Sequence, residues 1–283
     1  MSGQIIFVIW RESIEALLVI GILSNWLRRE AATGAVGARA GRYLWGGVAS
    51  GLAVALLFAA MVLGFAETLP PMLREDMMTA MVFLAAGLIV QMVLWMRRHA
   101  RTLKRDLEWD LSDAARSGHW WTIFVLAAIA VAREGSETVV FLYGMVAGAA
   151  GTSLPGILGA IALGFALAFA TYALMQLGGR LLPWSRFFRI SEAMLLLLGC
   201  ALFTTGLEQL VGAGILPFHA PLWDMSAILD DGGRVGGIVA SLTGYRAAPD
   251  WVTLAGWIGY SAFVTVALAF ATRPVRRAVQ RAG

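Results

Sequence analysis

The chain has 283 residues, of which 59% are hydrophobic and only 14% are charged, and its mean hydropathy is +0.74. Because a soluble globular chain carries roughly 25% charged and about 45–50% apolar residues, this composition excludes a soluble enzyme and a disordered chain. The formal net charge is +4, and the single cysteine, Cys200, excludes an intrachain disulfide.

Seven apolar stretches are long enough to cross a bilayer, which takes about 20 residues. They are 4–27, 43–66, 77–96, 120–147, 155–178, 187–211 and 251–272. The first stretch is not typical of a cleaved signal peptide, because it lacks a basic start and carries charges inside its apolar run. We therefore predict an all-α, polytopic membrane protein with seven transmembrane helices in one domain, 1–283. The outer segment 212–250 is expected to fold against the outer surface rather than to cross.

The basic residues predict the orientation of the chain. Of the 22 Lys and Arg residues, 17 lie after the first, third, fifth and seventh stretches, on one side of the membrane. Since basic loops remain in the cytoplasm, the N-terminus is expected outside and the C-terminus inside a plasma or inner membrane. The excess of basic residues thus reflects the orientation in the membrane and does not indicate a nucleic-acid partner.

Tryptophans occur near the predicted ends of the spans. Those near inner ends are Trp26, Trp45, Trp95, Trp120 and Trp121, and those near an outer end are Trp251 and Trp257. Because indole rings favour the headgroup region, these residues are predicted to be interface anchors.

Two of the predicted spans contain the same cluster of charged residues. Residues 11–15 read RESIE and residues 133–137 read REGSE, and both follow the pattern R-E-x-x-E. Ionisable residues inside membrane spans are rare and costly, and they mark functional sites by default. On a helix the two Glu side chains, at i and i+3, share one face, and the Arg lies beside the second Glu at i+4. Two facing helices could therefore bring four carboxylates to one site.

The depth of the two clusters supports a common site. With a rise of about 1.5 Å per residue, both sets of carboxylates lie roughly 12–21 Å from the outer ends of their spans. A weak internal repeat relates 4–96 to 120–211, and three spans per repeat make the halves inverted in the membrane. Inverted repeats with a site at the bilayer midplane are typical of transporters. The span 251–272 is then an addition to the repeat.

Charge limits what such a site could hold. Four carboxylates and two guanidinium groups leave about −2, which is costly to bury unless protons or a cation offset it. Oxygen ligands favour hard, multivalent cations. Two alternatives stay open: structural ion pairs that brace the helices of a scaffold or sensor, and a proton relay in a cation exchanger.

The paired motifs resemble those of the oxidase-dependent iron transporter family, which includes the fungal high-affinity iron permease and the bacterial EfeU-type permeases. The outer residues 221–229, PLWDMSAIL, and 242–246, LTGYR, resemble the outer segment of the bacterial members. The resemblance covers the whole chain and implies an iron permease, not an enzyme, with no permanently bound cofactor. Some relatives are described as lead-uptake proteins, so another divalent metal remains an alternative substrate.

The resemblance also implies roles for particular residues. The iron ligands would be Glu12, Glu15, Glu134 and Glu137, supported by Arg11 and Arg133. A separate extracytoplasmic oxidase or peroxidase, or an iron-binding protein, would deliver the ion. From their positions alone, the weaker candidates are Glu192 for an exit path and Glu208, Asp224, Asp230 and Asp231 for an entrance. For these five residues, structural pairing or an ordinary solvated loop is the competing interpretation.

Overall fold

The computed structural model describes residues 2–32, 39–99, 109, 120–147, 153–177 and 184–271. The regular elements in these ranges are helices, and we number them in chain order. They are α1 (Ser2–Ala32), α2 (Arg39–Thr68), α3 (Pro71–His99), α4 (Trp121–Ala147), α5 (Leu154–Leu177), α6 (Trp184–Gly212), α7 (Arg234–Thr243) and α8 (Trp251–Ala271). The described part of the chain is therefore all-α, as the sequence predicts.

Five of the long helices are long and apolar enough to cross a membrane, judged by length and composition among the described residues. Their apolar portions are Ala40–Thr68, Pro71–Arg97, Leu154–Gln176, Arg189–Gly212 and Trp251–Ala271. The two other long helices, α1 with 31 residues and α4 with 27, carry the R-E-x-x-E motifs. The charged residues of each motif lower the mean hydropathy of a helix that is otherwise apolar.

Three helices form a belt of exposed apolar side chains around the others. Leu57 of α2 is 71% exposed, Phe169 of α5 is 58% exposed and Phe263 of α8 is 62% exposed. Exposed apolar surface on this scale suits contact with lipid and not with water. The chain is thus a multi-pass membrane protein, with α2, α5 and α8 facing the bilayer.

The principal apolar core joins α1, α3, α4, α5 and α6. Val8, Val82, Phe141, Leu195 and Leu198 are fully buried within it. A second apolar cluster joins the other ends of α1 and α4 to the start of α2, where Leu23, Leu44 and Ile123 are fully buried. We call these the outer cluster and the inner cluster, after the predicted orientation.

Small residues let two pairs of helices approach closely. On α2, the small residues Gly47, Gly51 and Ala55 are spaced by four and lie against α4, where a Cβ atom on Gly51 would come within 2.6 Å of the carbonyl oxygen of Ala128. On α5, a Cβ atom on Gly164 would come within 2.7 Å of the Cβ atom of Ile9 on α1. Small residues one turn apart are a common means of packing membrane helices.

The outer segment contains the short helix α7, which packs against α6 and α1. With 10 residues, α7 is too short to cross a bilayer. It ends at Gly244, whose positive φ of 73° favours glycine. The side-chain amide of Gln4, at the start of α1, donates to the carbonyl oxygen of Ser241, and the Trp257 indole donates to the carbonyl oxygen of Thr243 at 3.2 Å.

The predicted role of tryptophans as interface anchors is wrong for Trp26. Its indole is only 7% exposed and belongs to the inner cluster, because α1 continues past its apolar run and packs there against α2 and α4. By contrast, Trp45, Trp121 and Trp251 are each at least 60% exposed, as an anchor would be.

Candidate cation site

The two motifs meet where α1 packs against α4. Carboxylate oxygens of Glu12, Glu15 and Glu134 all lie within 4.8 Å of one another. Glu12 and Glu134 are buried, and Glu15 is mostly so. The structure thus brings together three of the four predicted ligands, from both motifs, in one group of metal-binding size.

The fourth predicted ligand, Glu137, stands beside this group. It lies one turn after Glu134 on α4 and accepts a hydrogen bond from Nε of Arg133 at 2.9 Å. The same nitrogen is 4.0 Å from Glu134 Oε1. Arg133 therefore pairs mainly with Glu137, as the i to i+4 spacing predicts.

Arg11 is enclosed far more tightly than Arg133. Its guanidinium donates to Glu12 Oε1 at 2.7 Å and forms an ion pair with Glu15. The sulfur atoms of Met92 and Met96 on α3 also contact it, at 2.7 and 3.2 Å. The residue is only 1% exposed. Both carboxylates of the first motif are thus paired with one buried cation.

Several carboxylate oxygens of the site accept no hydrogen bond from the described residues. Oε2 of Glu12, of Glu134 and of Glu137 are buried in this way. A buried, unpaired carboxylate oxygen is costly unless a proton or a cation satisfies it. Since the acidic groups outnumber the two guanidinium groups, the site is formally anionic and suits a cation.

The site lies between the outer and inner clusters along both helices. On α1, Val8 of the outer cluster precedes the motif and Leu23 of the inner cluster follows it. On α4 the order is reversed, with Ile123 before the motif and Phe141 after it. Apolar packing therefore borders the carboxylates on both sides.

The weaker candidates Glu192 and Glu208 are both ion-paired. The Arg97 guanidinium, on α3, donates to Glu192 of α6 near the predicted inner side. Near the outer side, Arg246 donates to both carboxylate oxygens of Glu208, with Nη2 at 2.6 Å from Oε2. This hydrogen bond to Glu208 raises the pKa of Arg246. The two pairs tie α3 to α6 and the outer segment to α6.

The outer aspartates organise turns. Asp224 accepts the backbone N–H of Ser226 at 2.8 Å, and hydrogen bonds from Ser226 lower the pKa of Asp224. Asp230 accepts the N–H of Gly232 at 2.9 Å, and Asp231 lies 3.4 Å from the N–H of Ala247. None of these three joins the group of close carboxylates found among the described residues.

Comparison with known proteins identifies the family. Residues 3–280 match the family model described as "Iron permease FTR1 family". The chain belongs to the iron permease FTR1 family. The family predicted from the paired motifs is therefore confirmed, and its description is that of a permease.

Named relatives of this family member are bacterial permeases. The chain is 30% identical over 277 residues to the "Ferrous iron permease EfeU" of Shigella sonnei (strain Ss046) and to that of Escherichia coli O157:H7, covering 93% of each chain. It is 26% identical over 245 residues to the protein of the same name from Yersinia pestis, covering 86% of this chain and 84% of the relative. No solved structure matches the chain.

The contacts of α3 with the two arginines were missed by the sequence analysis. The thioethers of Met92 and Met96 touch Arg11, and the Trp95 ring lies 4.6 Å from the Cζ atom of Arg133. The signal available was positional: the three residues fall within one turn of α3, with the methionines at i and i+4. Uncharged residues in an apolar span gave no chemical signal, and Trp95 was predicted from the sequence to be an interface anchor, whereas its ring lies beside Arg133.

Proposed function

We propose that this protein imports iron ions across a plasma or inner membrane through a central site formed by Glu12, Glu15, Glu134 and Glu137. The observation that carries the proposal is the buried group of three carboxylates, contributed by both R-E-x-x-E helices, in a member of an iron permease family. Glu137 completes the set from the next turn of α4, where Arg133 donates to one of its carboxylate oxygens. The relatives named as ferrous iron permeases support iron as the substrate.

The seven long helices are the proposed membrane spans, with α1–α3 and α4–α6 as inverted repeats. In such a repeat, α1, α2 and α3 correspond to α4, α5 and α6. The contact between α2 and α4 then corresponds to a contact between α5 and α1, and both contacts occur. Exchanging the repeats leaves the pairs α1–α4 and α3–α6 unchanged, and the helices of both pairs are also in contact. A site at the interface of inverted repeats, bordered by apolar packing on both sides, suits alternating access.

The proposed site carries a formal charge of about −2, which favours a multivalent cation without fixing its valence. Iron would bind as the ferrous ion or as the ferric ion. An extracytoplasmic iron-binding protein, or an oxidase or peroxidase, is the proposed partner that presents it. The same charge suits another divalent metal such as lead, and titratable carboxylates suit a proton-coupled exchanger.

The decisive experiment is uptake of radioactive iron into proteoliposomes that hold the purified protein. Ferrous iron, kept reduced, and ferric iron, kept soluble by a weak chelator, are offered separately. Glu15→Gln and Glu137→Gln remove charge at the site and should abolish uptake while leaving folding intact. Glu75→Gln is the matched control, because Glu75 lies exposed at the start of α3.

Two results would contradict the proposal. Iron uptake that survives in both site variants would exclude the central carboxylates as the transport site. Proton flux through the wild type that needs no metal would favour the exchanger instead. Excess lead that blocks iron uptake in the wild type would broaden the substrate to divalent metals at the same site.

A further inference from the structure

One turn of α3 contacts the arginines of both motifs. Met92 and Met96 place their sulfur atoms 2.7 and 3.2 Å from the guanidinium nitrogens of Arg11. Trp95, between them in sequence, places its ring 4.6 Å from the Cζ atom of Arg133. The segment Met92–Met96 therefore joins two motifs that lie on different helices and about 120 residues apart.

The two arginines differ in their freedom to move. The Arg11 side chain is 2% exposed and is held by two carboxylates and two thioethers. The Arg133 side chain is 36% exposed, and its contacts on the site are Glu137 at 2.9 Å and Glu134 at 4.0 Å. Arg11 is thus the fixed cation of the site, whereas Arg133 is held by fewer groups.

The position of Arg133 over the Trp95 ring suits its pairing with Glu137. A guanidinium is planar and can present its face to an aromatic ring while its edge carries the N–H donors. Here the Cζ atom of Arg133 lies over the Trp95 ring, 4.6 Å from the ring centroid, while Nε donates to Glu137. The indole therefore limits the positions from which Arg133 can reach the carboxylate.

We propose that Trp95 is a positioning residue for iron transport, which holds Arg133 on Glu137 and so fixes the place of the fourth carboxylate. Met92 and Met96 hold Arg11 in the corresponding way without adding charge to the site. This proposal rests on the proposed function, and it assigns α3 a role that the R-E-x-x-E motifs do not include.

The first test compares variants at position 95 in the uptake assay. Trp95→Leu removes the aromatic face, and we expect the KM for iron to rise about fivefold, with kcat changed less than about twofold. Trp95→Tyr keeps an aromatic face and should restore a KM close to that of the wild type. Trp45→Leu is the control, since Trp45 is 62% exposed on α2. A KM unaffected by Trp95→Leu, or no rescue by tyrosine, would overturn the proposal.

A double-mutant cycle separates positioning from general packing. If Trp95 acts through Arg133, Trp95→Leu should change iron affinity in the wild type and change it little in the Arg133→Gln background. Iron affinity is measured by equilibrium dialysis of the purified protein, so that it can also be determined for variants that do not transport iron. Equal effects of Trp95→Leu in both backgrounds would mean that the indole only packs, and would overturn the proposal.

Failure of the proposed function can be told apart from failure of this inference. If the wild type neither binds nor transports iron, the proposed function is wrong. The same four proteins of the cycle are then compared by thermal unfolding, where contact between Trp95 and Arg133 predicts non-additive shifts in Tm. Additive shifts would overturn the positioning role without reference to iron.

Discussion

Arg11 and Arg133 occupy the same place in their motifs but have different surroundings. Arg11 is enclosed and pairs with both carboxylates of its own motif. Arg133 is about a third exposed and pairs closely with Glu137 alone. Although the two motifs have the same pattern, their arginines therefore contribute unequally to stability.

We expect Arg11→Met to lower the free energy of unfolding by about 3–5 kcal/mol, because it leaves Glu12 and Glu15 buried without their cation. Arg133→Met should cost less, about 1 kcal/mol, because the Arg133 side chain is itself about a third exposed and water reduces the value of such a pair. Thermal unfolding of the two variants in the same detergent measures the difference.

A triple variant controls for the loss of packing at Arg11. In the variant Arg11→Met with Glu12→Gln and Glu15→Gln, the carboxylates are neutral, and much of the lost stability should return. Equal losses for the two single arginine variants would contradict the unequal roles that their contacts indicate.

At this scale the charged residues of the site could be predicted from the sequence, whereas their neighbours could not. Arg11, Glu12, Glu15 and Glu134 were identifiable because charge inside an apolar span is rare. Met92 and Trp95 are apolar residues in an apolar helix, and only the packing of α3 reveals which group each contacts. Glu137 was expected among the ligands, and the structure pairs it with Arg133.

Among the elements, the packing of α2 against α4 depends on the absence of side chains at particular positions. A Cβ atom on Gly51 would lie 2.6 Å from a backbone carbonyl oxygen of α4, and one on Gly135 would meet the Cβ atom of Ala55. The helix backbone cannot move aside for an added methyl group, whereas a flexible side chain can. These glycines therefore set the distance between the helix that faces lipid and the helix that carries the second motif.

Substituting alanine at two glycines of α2 should affect stability differently. Gly51→Ala should destabilise the protein by about 1–3 kcal/mol, because the added methyl group overpacks the interface. Gly64→Ala should be neutral or stabilising by up to about 1 kcal/mol, because nothing lies within 4 Å of that position and alanine favours the helix. Thermal unfolding and the yield of folded protein from membranes measure both.

Helix α5 offers an independent repetition of this experiment. Gly164 lies against Ile9 of α1, whereas Gly159 has nothing within 4 Å. Gly164→Ala should be the destabilising change of the pair. If the crowded and the open glycines responded alike on both helices, the close approach would be no constraint on the fold.

The predicted spans mark the apolar part of each helix better than its ends. The stretch 77–96 lies inside α3, which begins six residues earlier at Pro71 and includes the charged residues Arg74, Glu75 and Asp76 in its first turns. A proline in the first turn is compatible with a helix, because its missing N–H would have no partner there. Helix α7 was not predicted, because ten residues with adjacent glycines give little periodic signal.

For the whole molecule, the distribution of basic residues predicts a cytoplasmic C-terminus and an outer segment 212–250 on the opposite side. A fluorescent protein fused to the C-terminus should therefore be fluorescent in cells. Alkaline phosphatase fused after Ala220 should be active, because this enzyme needs an oxidising compartment. Activity of the phosphatase at the C-terminus instead would reverse the orientation.

The arrangement of helices around the site could not be predicted from hydropathy alone. Short loops favour neighbours in sequence, yet α1 packs closely on α5, and α2 packs closely on α4. Each of these pairs contains one helix from each proposed repeat. The choice of partner depends on small residues such as Gly51 and Gly164, which are common throughout membrane helices and do not identify their partner.

The pairing of Arg11 with Glu12 and Glu15 has a consequence for biosynthesis. The ribosome completes α1 long before α4 and α5, so α1 enters the bilayer without the helices that later enclose its charges. Because the guanidinium lies within one turn of both carboxylates, it offsets one of the two negative charges from the start. Each charge near the middle of a helix opposes insertion by about 2.5–3.5 kcal/mol. The motif thus carries its own counter-ion through the translocon, before a binding site exists.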